Sequence, residues 1–328
     1  MLQFNKVKTS VAGLADQLLD MRRQFPKHLV LSRRNWTYVL VCGMGGSALA
    51  ADLIRYALWQ ELKVPIFISN NYDLPASVSK NTLVIAISYS GTTEEVKSCL
   101  KQAKKQGLAT CYITGNTKQT DKATKNFQPI VFQAQYNPSG QPRLGLGYTA
   151  GAFLYLLQAL KLVQIKDQEI KSAINQMKQQ PTATEVKLLQ NKSVIILASE
   201  HLIGTAHVLS NQLNETAKTF APYFTLPEAD HHLLEGLGSL RTTKNKWLAI
   251  FLTSADYHAR TQKRYQLTKQ VFKQQGINSL NRTFRGSRLT QALAGTFWGD
   301  NLVLALALKA NLDPTAIPWV KYFKQHLR

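Results

Sequence analysis

Residues 83–96 read LVIAISYSGTTEEV. Leu83, Val84, Ile85, Ala86 and Ile87 form an unbroken apolar run, the pattern of a parallel strand covered on both faces. Ser88, Ser90, Thr92 and Thr93 follow, with Gly91 among them, and then Glu94 and Glu95. Acidic residues suit the first turn of a helix, whose N-terminal end is positive. A strand therefore runs straight into a helix, through a turn that gathers free backbone N–H groups and four hydroxyls at one point. Such a turn suits an anion, a phosphate above all. Ser and Thr also cap helices. One cap is enough for that, and four hydroxyls with a glycine exceed the need.

Working outward, residues 36–41 predict a strand that ends in Gly43-Met44-Gly45-Gly46-Ser47, with a helix over 48–59 behind it. Glycines let a ligand approach the backbone at a positive helix end. The loop is neither the dinucleotide pattern nor a nucleotide P-loop. With the hydroxyl turn it describes one pocket at the carboxyl ends of neighbouring strands. Strands are expected at 65–69, 109–114 and 129–134, an amphipathic helix at 10–24, and a strongly apolar helix at 147–162. Residues 167–190 read as polar and helical, broken at Pro181. The pattern then restarts with strands at 193–198 and 247–252 and helices at 203–218, 257–275, 291–308 and 319–327. The fold class is α/β, two domains each with a mainly parallel sheet flanked by helices. The division is placed at 165/166, giving domains 1–165 and 166–328.

Composition narrows the function. The chain has 328 residues, 45% hydrophobic and 18% charged, enough for two ordinary domains with their own cores. Three scattered cysteines suggest a reducing compartment. With no leader pattern and no apolar run of membrane-spanning length, the expected location is cytoplasmic. The net charge is +21, but the basic residues are spread along the chain with no basic tail. No nucleic-acid or membrane partner is therefore expected. The excess charge suits an anionic metabolite. The seven histidines do not pair with carboxylates or cysteines at ligand spacings, so no metal and no cofactor is expected.

The glycine loop and Ser88-Tyr89-Ser90-Gly91-Thr92-Thr93 resemble the sugar isomerase (SIS) domain and its phosphate-binding turn. Four further stretches are similar to bifunctional phosphoglucose/phosphomannose isomerases: Gln141-Pro142-Arg143, Asn214-Glu215-Thr216-Ala217-Lys218, residues 226–236 around His231, and Asp313-Pro314-Thr315. The resemblance covers nearly the whole chain. It implies two SIS-type domains and a metal-independent aldose–ketose isomerase. Such an enzyme interconverts glucose 6-phosphate, and mannose 6-phosphate, with fructose 6-phosphate through a cis-enediol. It also implies a site. Gly45, Gly46, Ser47, Ser88, Ser90, Thr92 and Thr93 bind the phosphorylated sugar, Thr92 doubling as a cap. Glu215 is the base, Arg143 stabilises the enediolate, and Lys324 assists. His231 opens the ring and comes from the partner subunit of a homodimer, and Thr315 bears on accepting the mannose epimer. Asp230, His232 and Leu233 depart from the family pattern, and His232 is a competing histidine by residue type.

The residue types fit that chemistry on their own terms. Moving a proton between C1 and C2 needs a base, a group acting on the ring oxygen, and positive charge near the developing oxyanion. A guanidinium stays charged and aims several donors. An imidazole transfers protons near neutral pH. Two alternatives stand beside this reading, a non-catalytic sugar-phosphate-binding regulator on the same fold and a SIS isomerase for another phosphosugar.

Overall fold

The computed structural model describes residues 2–31, 35–119, 121–177 and 180–327. Two helices come first, α1 (Leu2–Ala12) and α2 (Leu14–Gln24). The single helix expected over 10–24 is broken at Gly13, where φ and ψ leave the helical region at −80° and 2°. A Cβ there would stand 2.9 Å from the carbonyl oxygen of Tyr136, so only glycine lets that loop come so close.

Strand and helix then alternate: β1 (Tyr38–Gly43), α3 (Gly46–Ala57), β2 (Ile66–Ser69), β3 (Thr82–Ile87), α4 (Glu94–Lys105), β4 (Ala109–Thr114) and β5 (Phe127–Val131). The five strands pair in parallel in the order β2-β1-β3-β4-β5. β3 lies at the centre, buried at every position, as its continuous apolar run requires. α5 (Leu146–Ala159) is buried all round from Leu146 to Leu157, between α2 and α3.

The second half holds α6 (Asp167–Gln176), α7 (Ala183–Leu189), β6 (Ser193–Ala198), α8 (Ile203–Glu215), β7 (Tyr223–Thr225), α9 (Leu233–Gly236), β8 (Trp247–Thr253), α10 (Ala259–Gln274), β9 (Asn278–Thr283), α11 (Arg288–Lys309) and α12 (Pro318–His326). The polar helical stretch is two helices on either side of Pro181, and residues 178 and 179 within it lie outside the described residues. The parallel sheet runs β7-β6-β8-β9, the order of the first sheet without its fifth strand. β7 and β9 are strands that the sequence pattern does not predict.

α3 and α8 join the halves, and one hydrophobic core spans both. Gly204 makes the close approach possible, because a Cβ there would stand 2.5 Å from Leu53 Cα and 2.6 Å from the Asp52 oxygen. Beside it Asp52 Oδ2 lies 2.6 Å from His207 Nδ1, and Arg55 Nε donates to Oδ1 at 2.6 Å. Burial pushes the Asp52 carboxyl up, but His207 and Arg55 outweigh it and hold it below the usual range. Among the described residues no helix is long and apolar enough to cross a membrane.

Candidate active site

The two loops meet where β1 and β3 end side by side, with Gly43 opposite Ile87. Gly45 precedes α3 at a φ of 46°, a backbone that suits glycine, and a Cβ there would meet open space. Ser47 Oγ accepts the Tyr89 N–H at 3.1 Å and so ties the glycine loop to the hydroxyl turn. Ser88 donates to Thr93 Oγ1 at 3.0 Å, and the Ser90 and Thr92 hydroxyls bond each other at 2.8 Å. Thr93 occupies the capping position of α4, yet its side chain accepts nothing from that helix's N–H groups. No side chain caps α3 either. The expectation that Thr92 doubles as a cap is therefore corrected: Thr93 holds the capping position, and the Thr92 hydroxyl bonds Ser90. Two positive helix ends stand uncapped beside exposed Ser90 and Thr92. That is anion-binding geometry.

Arg143 closes the other side. It lies in a 3-10 turn, Pro142–Leu144, and is 4% exposed. A Cβ on Gly46 would stand 3.2 Å from Arg143 Cα, so glycine at the start of α3 lets the arginine turn press against the glycine loop. The guanidinium donates from Nε to Thr216 Oγ1 at 3.1 Å, from Nη1 to Gln141 Oε1 at 2.9 Å and from Nη2 to the Pro314 oxygen at 2.6 Å. Nη1 also stands 3.5 Å from Glu215 Oε2. Gln212 fixes the Arg143 backbone, its Nε2 donating to the Arg143 oxygen at 2.9 Å, and Gln212 Oε1 accepts from Thr216 at 3.2 Å. Burial pulls the guanidinium down while Glu215 and Asp313 push it back up. An arginine stays charged under such opposed influences.

Glu215 is the last residue of α8, its carboxylate about a third exposed, with buried Leu209 and Leu213 below it on the same helix. Thr315 is buried. Its hydroxyl and N–H both donate to Asp313 Oδ1, at 2.7 and 2.8 Å, and hold the Asp313 carboxyl below the usual range. Lys218 Nζ reaches the Glu215 and Ala316 carbonyl oxygens, each at 2.5 Å.

The structure thus gathers the two loops, Arg143, Glu215 and the 313–316 segment. Among the described residues no hydrogen bond or ion pair joins His231 or Lys324 to them. His231 is exposed in a 3-10 turn, Glu228–His231, and His232 beside it pairs with Glu228 at 2.9 Å. Lys324 is exposed on α12, no described residue of which is buried. Gln212, Thr216, Asp313 and Lys218 are site neighbours that residue-by-residue reading of the sequence did not single out. The signal for three of them is that they lie inside the motifs carrying Glu215 and Thr315, where sequence reading gives them no role, while Gln212 lies just before the first.

The SIS domain family model matches residues 34–127, and that of the bacterial phospho-glucose isomerase C-terminal SIS domain matches residues 178–327. The bifunctional phosphoglucose/phosphomannose isomerase of Caldicellulosiruptor bescii is 30% identical over 88% of this chain and 89% of its own. That of Aquifex aeolicus is 27% identical over 88% and 90%. A D-glucosamine-6-phosphate 4-epimerase of Sulfolobus acidocaldarius is 25% identical over 65% of this chain and 67% of its own. A glucosamine-6-phosphate deaminase from Thermotoga maritima superposes with a TM-score of 0.65 at 15% identity, covering 94% of this chain and 97% of its own. A hypothetical protein from Thermus thermophilus superposes at 0.70 with 14% identity, over 97% and 90%. At such identities the structures speak for the fold, a pair of SIS-type α/β domains. The near full-length sequence likeness goes further, and the chain belongs to the family of bifunctional phosphoglucose/phosphomannose isomerases.

Proposed function

We propose that this enzyme interconverts glucose 6-phosphate and mannose 6-phosphate with fructose 6-phosphate by proton transfer through a cis-enediol. One observation carries the assignment of roles: a carboxylate and a buried guanidinium face each other 3.5 Å apart, next to a loop pair with uncapped helix ends. The 6-phosphate sits at the starts of α3 and α4, against Gly45, Gly46, Ser47, Ser88, Ser90, Thr92 and Thr93. The carbon end of the sugar then lies toward Glu215. Its carboxylate takes the C2 proton of the opened aldose and returns it to C1, while the O2 proton moves to O1. Arg143, held by four partners, stabilises the negative charge on the enediolate oxygens. Thr315 borders this end of the site and bears on acceptance of the mannose epimer.

In this reading His231 opens the sugar ring and belongs to the partner subunit of a homodimer, with Lys324 assisting. Supporting this, both side chains are exposed in a single chain, and α12 leaves Trp319, Tyr322 and Phe323 at 77%, 52% and 65% exposure. Such an uncovered aromatic helix suits a subunit interface. The domains divide at 165/166. Support comes from α5 packing on α2 and α3, while α6 packs on α11. We place the enzyme in the cytoplasm, in keeping with three buried, unpaired cysteines.

The test is a coupled assay of fructose 6-phosphate conversion to the glucose and mannose epimers, run with a chelator present. Turnover of both epimers is expected, with Glu215→Gln slower by about 10²- to 10⁴-fold. Loss of turnover with chelator overturns the metal-free route. No turnover, with fructose 6-phosphate still raising the melting temperature, makes the protein a sugar-phosphate binder instead.

A further inference from the structure

α8 ends at Glu215, and its last carbonyls have no partner within the helix. The chain turns back through Lys218, whose φ is +54°, and the Thr219 N–H bonds the Leu213 oxygen at 2.9 Å. This is the helix-ending turn in which glycine normally takes the left-handed position, because a side chain there is strained. Here a lysine bears that strain, and its ammonium does what no glycine could. Nζ bonds the carbonyl oxygen of Glu215 on one side and that of Ala316 on the other. Its pKa is lowered by burial and by the nearby Arg143 charge. The segment it holds is also gripped by Arg143 through the Pro314 oxygen.

We propose that Lys218 is a positioning residue for the isomerisation. It staples the end of α8 to the 313–316 segment and thereby fixes where the Glu215 carboxylate stands relative to Arg143. The proposal rests on the isomerase reading. It requires Lys218 to act on the chemical step, through Glu215, rather than on phosphate binding at the far end of the substrate.

Three variants test it: Lys218→Gly, Lys218→Met and Lys218→Arg, each with kcat, KM and melting temperature measured for fructose 6-phosphate. Lys218→Gly relieves the backbone strain while removing the staple. It is expected to melt no lower than wild type and yet lose kcat about tenfold, with KM within about twofold. Lys218→Met is expected to lose kcat similarly and to melt lower than Lys218→Gly. Lys218→Arg, which keeps a charged donor, is expected to recover most of the rate. An active wild type whose glycine and methionine variants keep the wild-type kcat overturns the Lys218 proposal alone. So does a loss of kcat that tracks the loss of melting temperature, or a failure of arginine to recover the rate. A wild type that turns over neither epimer overturns the isomerase reading and this proposal with it.

Discussion

Gly46→Ala tests whether the phosphate loop and the arginine turn are one device. The added methyl would stand 3.2 Å from Arg143 Cα, 3.3 Å from its N and 3.4 Å from the Pro142 carbonyl carbon. Carbon atoms pack comfortably at about 3.5 Å or more, so the two backbones must part by about 0.3 Å. Neither side yields easily. α3 is wedged against α8 at Gly204, and the Arg143 backbone is tied to Gln212. If the turn moves, Arg143 moves with it. A displacement of about 1 Å costs about a hundredfold in rate, so 0.3 Å costs about 0.8 kcal/mol, or roughly fourfold in kcat. Overpacking also costs stability, about 1–3 kcal/mol. The assay is steady-state isomerisation of fructose 6-phosphate beside a melting curve, with Gly45→Ala as control. That variant meets no protein atom but bears backbone strain at its φ of 46° and stands on the proposed phosphate side of the loop, so its effect should fall on KM rather than on kcat. Gly46→Ala should lower kcat about fourfold with KM within about twofold. An unchanged kcat at the wild-type melting temperature would refute the reasoning. A KM raised tenfold with kcat kept would show that Gly46 serves the phosphate rather than Arg143.

Arg143→Lys keeps the charge but not the fork. The Pro314, Gln141 and Thr216 partners cannot all be served by one ammonium. We expect kcat to fall by about 10²- to 10³-fold, with about 2 kcal/mol of stability lost to unmade buried bonds, read from kinetics and denaturant unfolding. Asp300→Asn should flatten the pH dependence of stability. Burial raises the Asp300 carboxyl to about 8, and its Oδ1 has no partner among the described residues. The folded chain therefore keeps a proton that the unfolded chain gives up above about pH 4, and stability falls as pH rises, by up to about 1.4 kcal/mol per unit. Melting temperatures of the wild type should drop between about pH 5 and 8, and those of the variant should drop less. Equal slopes would count against a buried, proton-bearing Asp300. Gly204→Ala should lower the melting temperature sharply, because its methyl would meet backbone atoms of α3 at 2.5 and 2.6 Å, where nothing can rotate away. A wild-type melting curve would show that the α3–α8 seam is looser than its geometry.

What the sequence displays and what it hides follow a physical line. β3 and β6 carry continuous apolar runs because helices cover both faces of their sheets, β4 (Ala-Thr-Cys-Tyr-Ile-Thr) is equally buried with only small threonines among its apolar residues, and the bounds of all three lie within a residue of those expected from the pattern. β9 reads Asn-Ser-Leu-Asn-Arg-Thr and stays largely exposed at the sheet edge, so no apolar run marks it. β7 is only three residues long. β5 lies at 127–131 rather than 129–134, its last ladder bond being the one from the Phe132 N–H to the Thr114 oxygen at 3.1 Å, beyond which β4 has ended. In the site, Arg143 is visible as a charged residue after a proline. Its partners Thr216 and Pro314 stand 73 and 171 residues away, and no local pattern joins them. Lys218 is hidden for another reason, since its side chain bonds only backbone oxygens, which every residue has.

The two halves share a strand order, so they should share a ligand place, at the carboxyl ends of β1 and β3 in the first and of β6 and β8 in the second. The chemistry at the two places is opposite. After β1 and β3 come glycines, hydroxyls and uncapped helix ends. After β6 and β8 come Glu200 and Asp256. Glu200 accepts the His258 N–H at 2.8 Å and faces Arg288 at 3.8 Å. Asp256 accepts from Gln291 at 2.5 Å, and Gln291 in turn lies 3.0 Å from the buried His201 ring, which burial holds toward its neutral form. The second domain has filled its own anion place with carboxylates, and a phosphate would meet like charge there. Its α8, the counterpart of the glycine-loop helix α3, works from the other end instead. The start of α3 offers N–H groups to an anion, and the end of α8 presents Glu215 toward Arg143. Antiparallel use of two equivalent helices puts the positive end of one and the carboxylate of the other beside the same arginine. Under the proposed function, that is how a repeated fold yields one composite site rather than two copies of the same one.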